Sequence, residues 1–538
     1  MSLPKRQSIM NTSREQQPAL NDDNDIADTQ PFRGPHGNQQ GCDTAVPCQK
    51  EHDLQRGPFE KSHSEVTVPD SRIIVSFEGD HDPLCPRSLT SIRKWAIVII
   101  VCTATICVTC ASSIYTTTYT QMNDEFGISS IVATLGLSLF VLGIALGPLL
   151  TSPLSEWYGR RVIYIISWSL FLIWTIGTAV AKNIQTVLIT RFFTGFFGGT
   201  FLSVSGGTAG DIFPRDQIQI PMALVSAAPF TGPCFGPLIG GFVNYHVNWR
   251  WTYYVILIWA GVLLVPILFL VPETYHPIQL KAKAQILRKK TGDERYMAPS
   301  EENQVAKTRL LGLSLLRPVQ FLTLEPMCLA LDIYSAMLLG MLYLFFEAFP
   351  LLFERTYTFN LWQVGLTFLG IISGMVIAAA STPLWNRVAD RISEIQPNGE
   401  DNRPPEYRLI PAIPGAIMIP VGLLWFGWSM SPAVHWIVPV IGSAIYGCGT
   451  LLAFTGIFTF LVDAYPLYAA SALASNGLAR CSFAAAFPLF GIQMYDRLGS
   501  HWGTSLLALI TILMMPLPYL FFKYGSKLRQ KSKFALKA

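Results

Sequence analysis

The sequence predicts an all-helical polytopic membrane protein with twelve transmembrane helices arranged as two six-helix bundles. Three observations carry that expectation. Of 538 residues, 51% are hydrophobic and only 14% charged, well below the roughly quarter that soluble domains carry. Twelve mainly apolar runs reach the span length of about 18 residues or more, and a long basic loop divides them six and six. The runs are continuous rather than alternating, which excludes a barrel, whose strands need only about ten residues.

Residues 1–90 are polar, with QQ, DD and GG pairs and scattered proline, and are expected to form a disordered cytoplasmic tail. The first apolar segment begins only near residue 95, so no cleavable signal peptide is expected. The N-terminal bundle, residues 91–271, holds runs at roughly 95–116, 130–151, 162–181, 186–208, 221–243 and 252–271. The linker, residues 272–325, carries Lys281, Lys283, Arg288, Lys289, Lys290, Arg295, Lys307, Arg309 and Arg317. Within it Ile278, Leu280, Ala284 and Leu287 recur at near-helical spacing. That pattern reads as an amphipathic helix on the inner membrane surface or bracing the two halves, or else as a solvated basic linker. The C-terminal bundle, residues 326–522, holds runs at roughly 327–349, 363–385, 409–430, 434–461, 470–493 and 503–522, before a basic tail at 523–538.

Short loops set the orientation. Arg160 and Arg161, Arg387 and Arg391, and Lys523, Lys527 and Arg529 lie at one end of the spans. The other end has Asp124 and Glu125 after the first span and only Lys182 after the third. By the positive-inside rule both termini are expected to be cytoplasmic.

Chemistry for an enzyme would show as a cluster of nucleophile, base or metal ligands. All eight histidines lie in the tail, loops or span rims, and no phosphate-cradling loop occurs. Of ten cysteines, seven lie within spans, and Cys107 and Cys110 read as small residues at a packing face. No catalysis, cofactor, metal or nucleic-acid partner is expected. What remains is a secondary transporter, acting as a monomer, whose partners are a small-molecule substrate, an ion or substrate gradient and the lipid bilayer.

Three motifs sharpen this. SPLSEWYGRR, from Ser152 to Arg161, needs Gly159 for a tight turn, beside which Glu156 and Arg160 can exchange charge-assisted hydrogen bonds as a latch. The stretch resembles the loop between spans two and three of the major facilitator superfamily, G-x-L-x-D-R-x-G-R-R. Leu154, Gly159, Arg160 and Arg161 match, while Glu156 stands for the aspartate, Trp157 for the first arginine and Ser152 for the first glycine. The resemblance implies an inner gate in which the acidic residue caps the start of span eleven. In RFFTGFFGG, Arg191 followed four residues later by glycine is similar to the family's span-four motif and is implied in proton coupling, the alternative being snorkelling to the surface. In TGPCFGPLIGG, residues Gly232, Gly236, Pro237, Gly240 and Gly241 resemble the family's antiporter pattern G-x-x-x-G-P-x-x-G-G. The three glycines at four-residue spacing line one helix face for close packing, and the prolines imply a bend and a rocking seam. With NWRWTYYV, PETY and YLFFEAFP, the chain resembles the fungal twelve-span drug:proton antiporters, which implies the major facilitator fold and a place in the plasma membrane.

Few titratable groups lie within the spans. Asp332 is a candidate proton or substrate site, or a structural partner of Arg480, while Glu347 and Asp463 sit nearer span ends. Tyr115, Tyr119, Tyr334, Tyr343 and Tyr446, with Glu347, are candidates for the substrate cavity, against packing or interfacial roles. The expected function is export of xenobiotics, toxins or secondary metabolites by proton antiport. A polyamine:proton exporter, a proton-coupled nutrient symporter and a non-transporting sensor are the alternatives.

Overall fold

The computed structural model describes residues 73–79, 82–214, 217–302, 307–395, 404–466, 468–532 and 534–535. Most of the expected tail, up to residue 72, lies outside them. The first half comprises strand β1 (Ile73–Ile74) and α1 (Ser91–Ser113), which tightens into a 3-10 turn at Ile114–Thr118 and resumes as α2 (Tyr119–Phe126). It continues with α3 (Ser130–Tyr158), α4 (Arg160–Ala179), α5 (Ile184–Ile212), α6 (Gln219–His246) and α7 (Arg250–Leu270). In the middle are α8 (His276–Thr291), β2 (Tyr296–Met297), α9 (Pro299–Glu302) and α10 (Lys307–Leu324). The second half holds α11 (Pro326–Tyr357), α12 (Leu361–Thr367), α13 (Leu369–Ile395), α14 (Ala412–Ser429), α15 (Ile437–Ala464), α16 (Ala469–Met514) and α17 (Pro516–Lys531).

Among the described residues, eleven stretches are long and apolar enough to cross a membrane. The last of these, Ala469–Gln530, contains two crossings, because α16 breaks at Gly499, whose φ of 74° lies in the left-handed region that glycine tolerates. All twelve runs read from the sequence are therefore helical, six before α8 and six after α10. We call the end of the bundle that carries Arg160 and Arg161 the basic end, and the opposite end the far end.

Small residues set how closely the helices lie. A Cβ at Gly143 or Gly147 would overlap the backbone of Phe192 or Phe196, and one at Gly195 would overlap Phe140, so α3 and α5 touch backbone to backbone. In the second half, Gly374 meets Ala444 and Gly415 meets Gly449 in the same way. Lipid tails are as apolar as leucine, so burying apolar area drives little association in a bilayer. Contacts of this kind, dense in dispersion attraction, replace it.

Residues 73–90 fall in the segment expected to be a disordered tail, yet their described part is ordered against the linker. β1 pairs in parallel with β2, Ile73 opposite Tyr296, and Val75 is buried against Ala284 and Ala298 with Leu280 and Leu287 alongside. The helix expected in the linker forms as α8, but those side chains of its apolar face are covered by the chain itself. Lys283 joins the two segments through Asp82 Oδ2 at 2.7 Å, the Ser76 carbonyl at 3.0 Å and Glu78 Oε1 at 3.2 Å. The hydrogen bond from Lys283 holds the Asp82 carboxyl below its usual range. A depressed folded value contributes stability above the unfolded aspartate pKa, about 3.9, that is lost as the pH falls through the lower folded value. At pH 7 the clamp is therefore fully formed. Lys283→Met is expected to speed tryptic cleavage at Arg87 several-fold at that pH, and cleavage at the wild-type rate would contradict this role.

Candidate functional site

At the basic end, Gly159 turns the chain from α3 into α4 with a φ of 98°. A side chain at this position would also run into Glu273. The Glu273 carboxylate accepts the backbone N–H groups of Arg160 at 2.9 Å and Arg161 at 3.2 Å, capping α4 from the segment that follows α7. Two unsatisfied helix donors and the positive end of the helix dipole thus meet one anion. The Arg160 side chain is buried, donates to Ser155 Oγ at 2.6 Å and pairs with Asp211 at 3.3 Å. It also lies over the Tyr275 ring at 4.9 Å.

The latch expected between Glu156 and Arg160 does not form: Glu156 is exposed, and among the described residues no hydrogen bond or ion pair joins the two. The turn at Gly159 points Arg160 toward the end of α5, where Asp211 is the acidic group in reach. Leu154 is half-buried, and Arg161 donates to the Leu268 carbonyl at 3.0 Å. The second half repeats the pairing of Arg160 with Asp211. Arg408, before α14, donates to Asp463 at the end of α15 at 2.6 Å, which places Asp463 at the rim. Glu273→Ala removes an acceptor shared by several backbone donors and is expected to destabilise the protein by about 1–2 kcal/mol. Thermal unfolding checks this, and an unchanged midpoint would contradict the role of Glu273 as the cap of α4.

In the middle of the bundle, α6 runs unbroken through Pro229, Pro233 and Pro237. Pro237 has no N–H for the carbonyl four residues earlier. That carbonyl, on Pro233, instead accepts Ser113 Oγ from α1 at 2.6 Å. Gly232, Gly236 and Gly240 bring α1 close enough for this, facing Thr109, Ser113 and Thr117 in turn. Gly241 faces elsewhere, onto the Leu361 carbonyl at the start of α12, and Gly365 of α12 faces the Pro237 carbonyl. One helix therefore carries both the seam to α1 within its own half and the seam to the other half.

Arg191 does not snorkel. It is 2% exposed and points inward from α5, donating to the carbonyls of Ala111 at 2.6 Å and Ser112 at 2.9 Å. A longer bond reaches the Gly136 carbonyl at 3.4 Å. Its guanidinium lies 4.4 Å from the Tyr115 ring centroid and 4.2 Å from that of Phe140. Both close carbonyls sit where α1 passes into the 3-10 turn and the helical pattern leaves acceptors free. The arginine holds that break in place.

Two links cross from this region to α11. Ser112 Oγ and the Tyr343 hydroxyl are 2.9 Å apart, and the Tyr119 hydroxyl donates to Glu347 Oε1 at 3.3 Å. Glu347 is buried, and its Oε2 has no hydrogen bond of good geometry among the described residues. Tyr119, Tyr343 and Glu347 thus come together between the halves. Tyr446 instead donates to the Leu338 carbonyl within the second half, and Tyr334 is buried on α11.

Asp332 faces α16. Its Oδ1 accepts from Asn476 at 2.9 Å and its Oδ2 from Ser475 at 2.7 Å, tying α11 to α16. Among the described residues no ion pair joins it to Arg480, although the two charges attract one another. Nearer the basic end than these links, Phe230 of α6 stacks on Phe454 of α15 at 4.2 Å. An apolar recess of about 290 Å³ opens between α1, α6 and α13, lined by Val98, Cys102, Ile106, Leu224, Thr231 and Met375. Ser112, Ser113, Asp211, Glu273 and Phe230 were not among the expected site residues. The two serines could have been found as hydroxyls beside a helix break, and Glu273 lies in the quoted PETY, but spacing alone does not pair Arg160 with Asp211.

Residues 101–488 match the family described as Major Facilitator Superfamily. The chain is 48% identical over 485 residues to the efflux pump atB of Aspergillus terreus, covering 90% of this chain and 94% of that protein. It is 42% identical over 452 residues to the probable drug/proton antiporter YHK8 of Saccharomyces cerevisiae, covering 84% and 87%. The fold is similar to the partially occluded, inward-open xylose transporter XylE from E. coli. There the TM-score is 0.55 at 16% identity, covering 80% of this chain and 99% of that one. With its twelve crossings and the glycine turn at Gly159, the chain belongs to the major facilitator superfamily.

Proposed function

We propose that this protein is a secondary transporter that exports small organic molecules, xenobiotics, toxins or secondary metabolites, across the plasma membrane in exchange for protons. In this reading it works as a monomer with its basic end and both termini in the cytoplasm. The observation that carries the reading is the buried contact of Glu347 on α11 with Tyr119 on α2, a titratable group placed between the halves that must separate. Gain or loss of a proton at Glu347 changes the charge facing the Tyr119 hydroxyl, so protonation is linked to opening of the far end. Arg191 anchors the adjoining break in α1. The names of the relatives, an efflux pump and a probable drug/proton antiporter, support the same direction of transport. Export of polyamines is less favoured, because both oxygens of Asp332 are already engaged by Ser475 and Asn476.

A growth screen of cells with and without the protein across toxic compounds tests the reading. Cells that carry it are expected to resist a subset of compounds and to accumulate less of each. Equal accumulation throughout would contradict export.

A further inference from the structure

Arg480, on the first limb of α16, is a cation inside a span with no hydrogen-bond acceptor among the described residues. Its guanidinium carbon lies 4.6 Å from the ring centroid of Phe458, 5.4 Å from Phe230 and 5.7 Å from Phe454. Phe230 belongs to the first half and the other two to the second, so the charge sits at the junction of the halves. The residue is partly exposed, while its Nε is enclosed without a hydrogen-bond partner among the described residues. Other arginines of the bundle differ. Arg191 has backbone carbonyls, and Arg160, Arg408 and Arg529 have Asp211, Asp463 and Glu406. The carboxylate of Asp332 on neighbouring α11 is bound by Ser475 and Asn476; it attracts the Arg480 charge, but among the described residues no ion pair or hydrogen bond joins the two.

An arginine within a span is costly unless it faces a cavity or a partner. Three rings cover part of this one, but rings accept no hydrogen bond in the guanidinium plane, where its donors point. The group suited to that plane is a planar oxyanion, which takes two parallel hydrogen bonds from the fork. Phe458 beside it is half-buried, and Phe454 lies covered by Phe230, so parting of the halves uncovers an apolar surface for a flat ring. An organic cation would meet like charge here, and an uncharged solute would leave the donors of the fork without an in-plane acceptor, since the Asp332 carboxylate attracts the charge without hydrogen-bonding to it.

We propose that Arg480 is a substrate-binding residue that holds the carboxylate of an aromatic organic anion, with Phe458 and, once Phe230 moves off it, Phe454 receiving its ring system. This rests on the export reading above and adds the substrate class. When the halves part, Phe230 leaves with α6 while Arg480 stays with the second half, so the ring surface is covered in this arrangement and open in the other.

The test uses the full chain in lipid nanodiscs with 1-naphthoate as probe and 1-naphthamide as its uncharged counterpart. Wild-type protein is expected to bind the acid more tightly than the amide. Arg480→Gln is expected to weaken naphthoate binding by about tenfold or more and to leave amide binding and the thermal midpoint near wild type. Arg480→Lys, which keeps the charge but not the fork, is expected to fall between. Equal weakening of acid and amide would mark a structural role and overturn the proposal, as would unchanged naphthoate binding in Arg480→Gln. Should that variant fail to fold, the lysine variant decides: naphthoate affinity equal to wild type overturns the proposal. Proton-driven flux with no role for Arg480 sinks the anion site and leaves export standing. Arg480-dependent binding without such flux does the reverse.

Discussion

Gly236→Val is expected to abolish transport in protein that still reaches the membrane. The glycine lies where the first side-chain atom of any other residue would fall on Ser113 Oγ and close to the backbone of Ile114. Valine must push α1 away from α6, which breaks the Ser113 hydrogen bond to the Pro233 carbonyl and leaves that acceptor bare in an apolar setting. Overpacking costs about 1–3 kcal/mol, and an unmet buried acceptor about as much again. The loss falls on the seam that α6 must keep while its other face works against α12. Gly206→Ala is the control, since only the tip of Met222, 3.9 Å away, approaches an added Cβ there. It is expected to transport at the wild-type rate. Flux in Gly236→Val within about twofold of wild type would mean that the seam tolerates more separation than close packing in membranes allows.

Arg191→Ala is expected to remove proton-driven flux. Two short charge-assisted hydrogen bonds, each worth about 1.5–3 kcal/mol, are lost from the carbonyls of Ala111 and Ser112. The 3-10 turn that carries Tyr115 and leads to Tyr119 then loses its anchor, and with it the placement of Tyr119 against Glu347. Arg191→Lys separates this account from simple loss of charge. A single ammonium cannot copy a fork that spans two carbonyls, so the lysine variant is expected to fold but to transport at about a tenth of the wild-type rate or less. Full coupled flux in the lysine variant would show that only the charge matters.

The membrane architecture was legible because hydrocarbon demands long apolar runs and helices that satisfy their own backbone, leaving few alternatives. The glycine face of α6 was legible for a similar reason, since four-residue spacing fixes a common side whatever the partner. What spacing does not state is the identity of that partner. Gly232, Gly236 and Gly240 meet α1 and the 3-10 turn that follows it, while Gly241, one residue further on, meets α12. The same gap explains the latch, where Glu156 lies four positions before Arg160 but the turn at Gly159 redirects the arginine to Asp211. Polar composition hid the docked segment at 73–90, because a two-residue strand and one buried lysine leave no periodic trace. Arg480 was visible as a charge in a span. Its setting among rings from both halves depends on tertiary packing, and that setting is what gives it a chemical meaning.

The central claim is that outward movement of an organic solute is coupled to inward movement of protons. It is tested most directly with purified protein in sealed vesicles, an imposed proton gradient and a compound returned by the resistance screen. The account predicts uphill accumulation of that compound on the acidic side, collapsing when a protonophore dissipates the gradient. Flux of equal size with and without the gradient would contradict it.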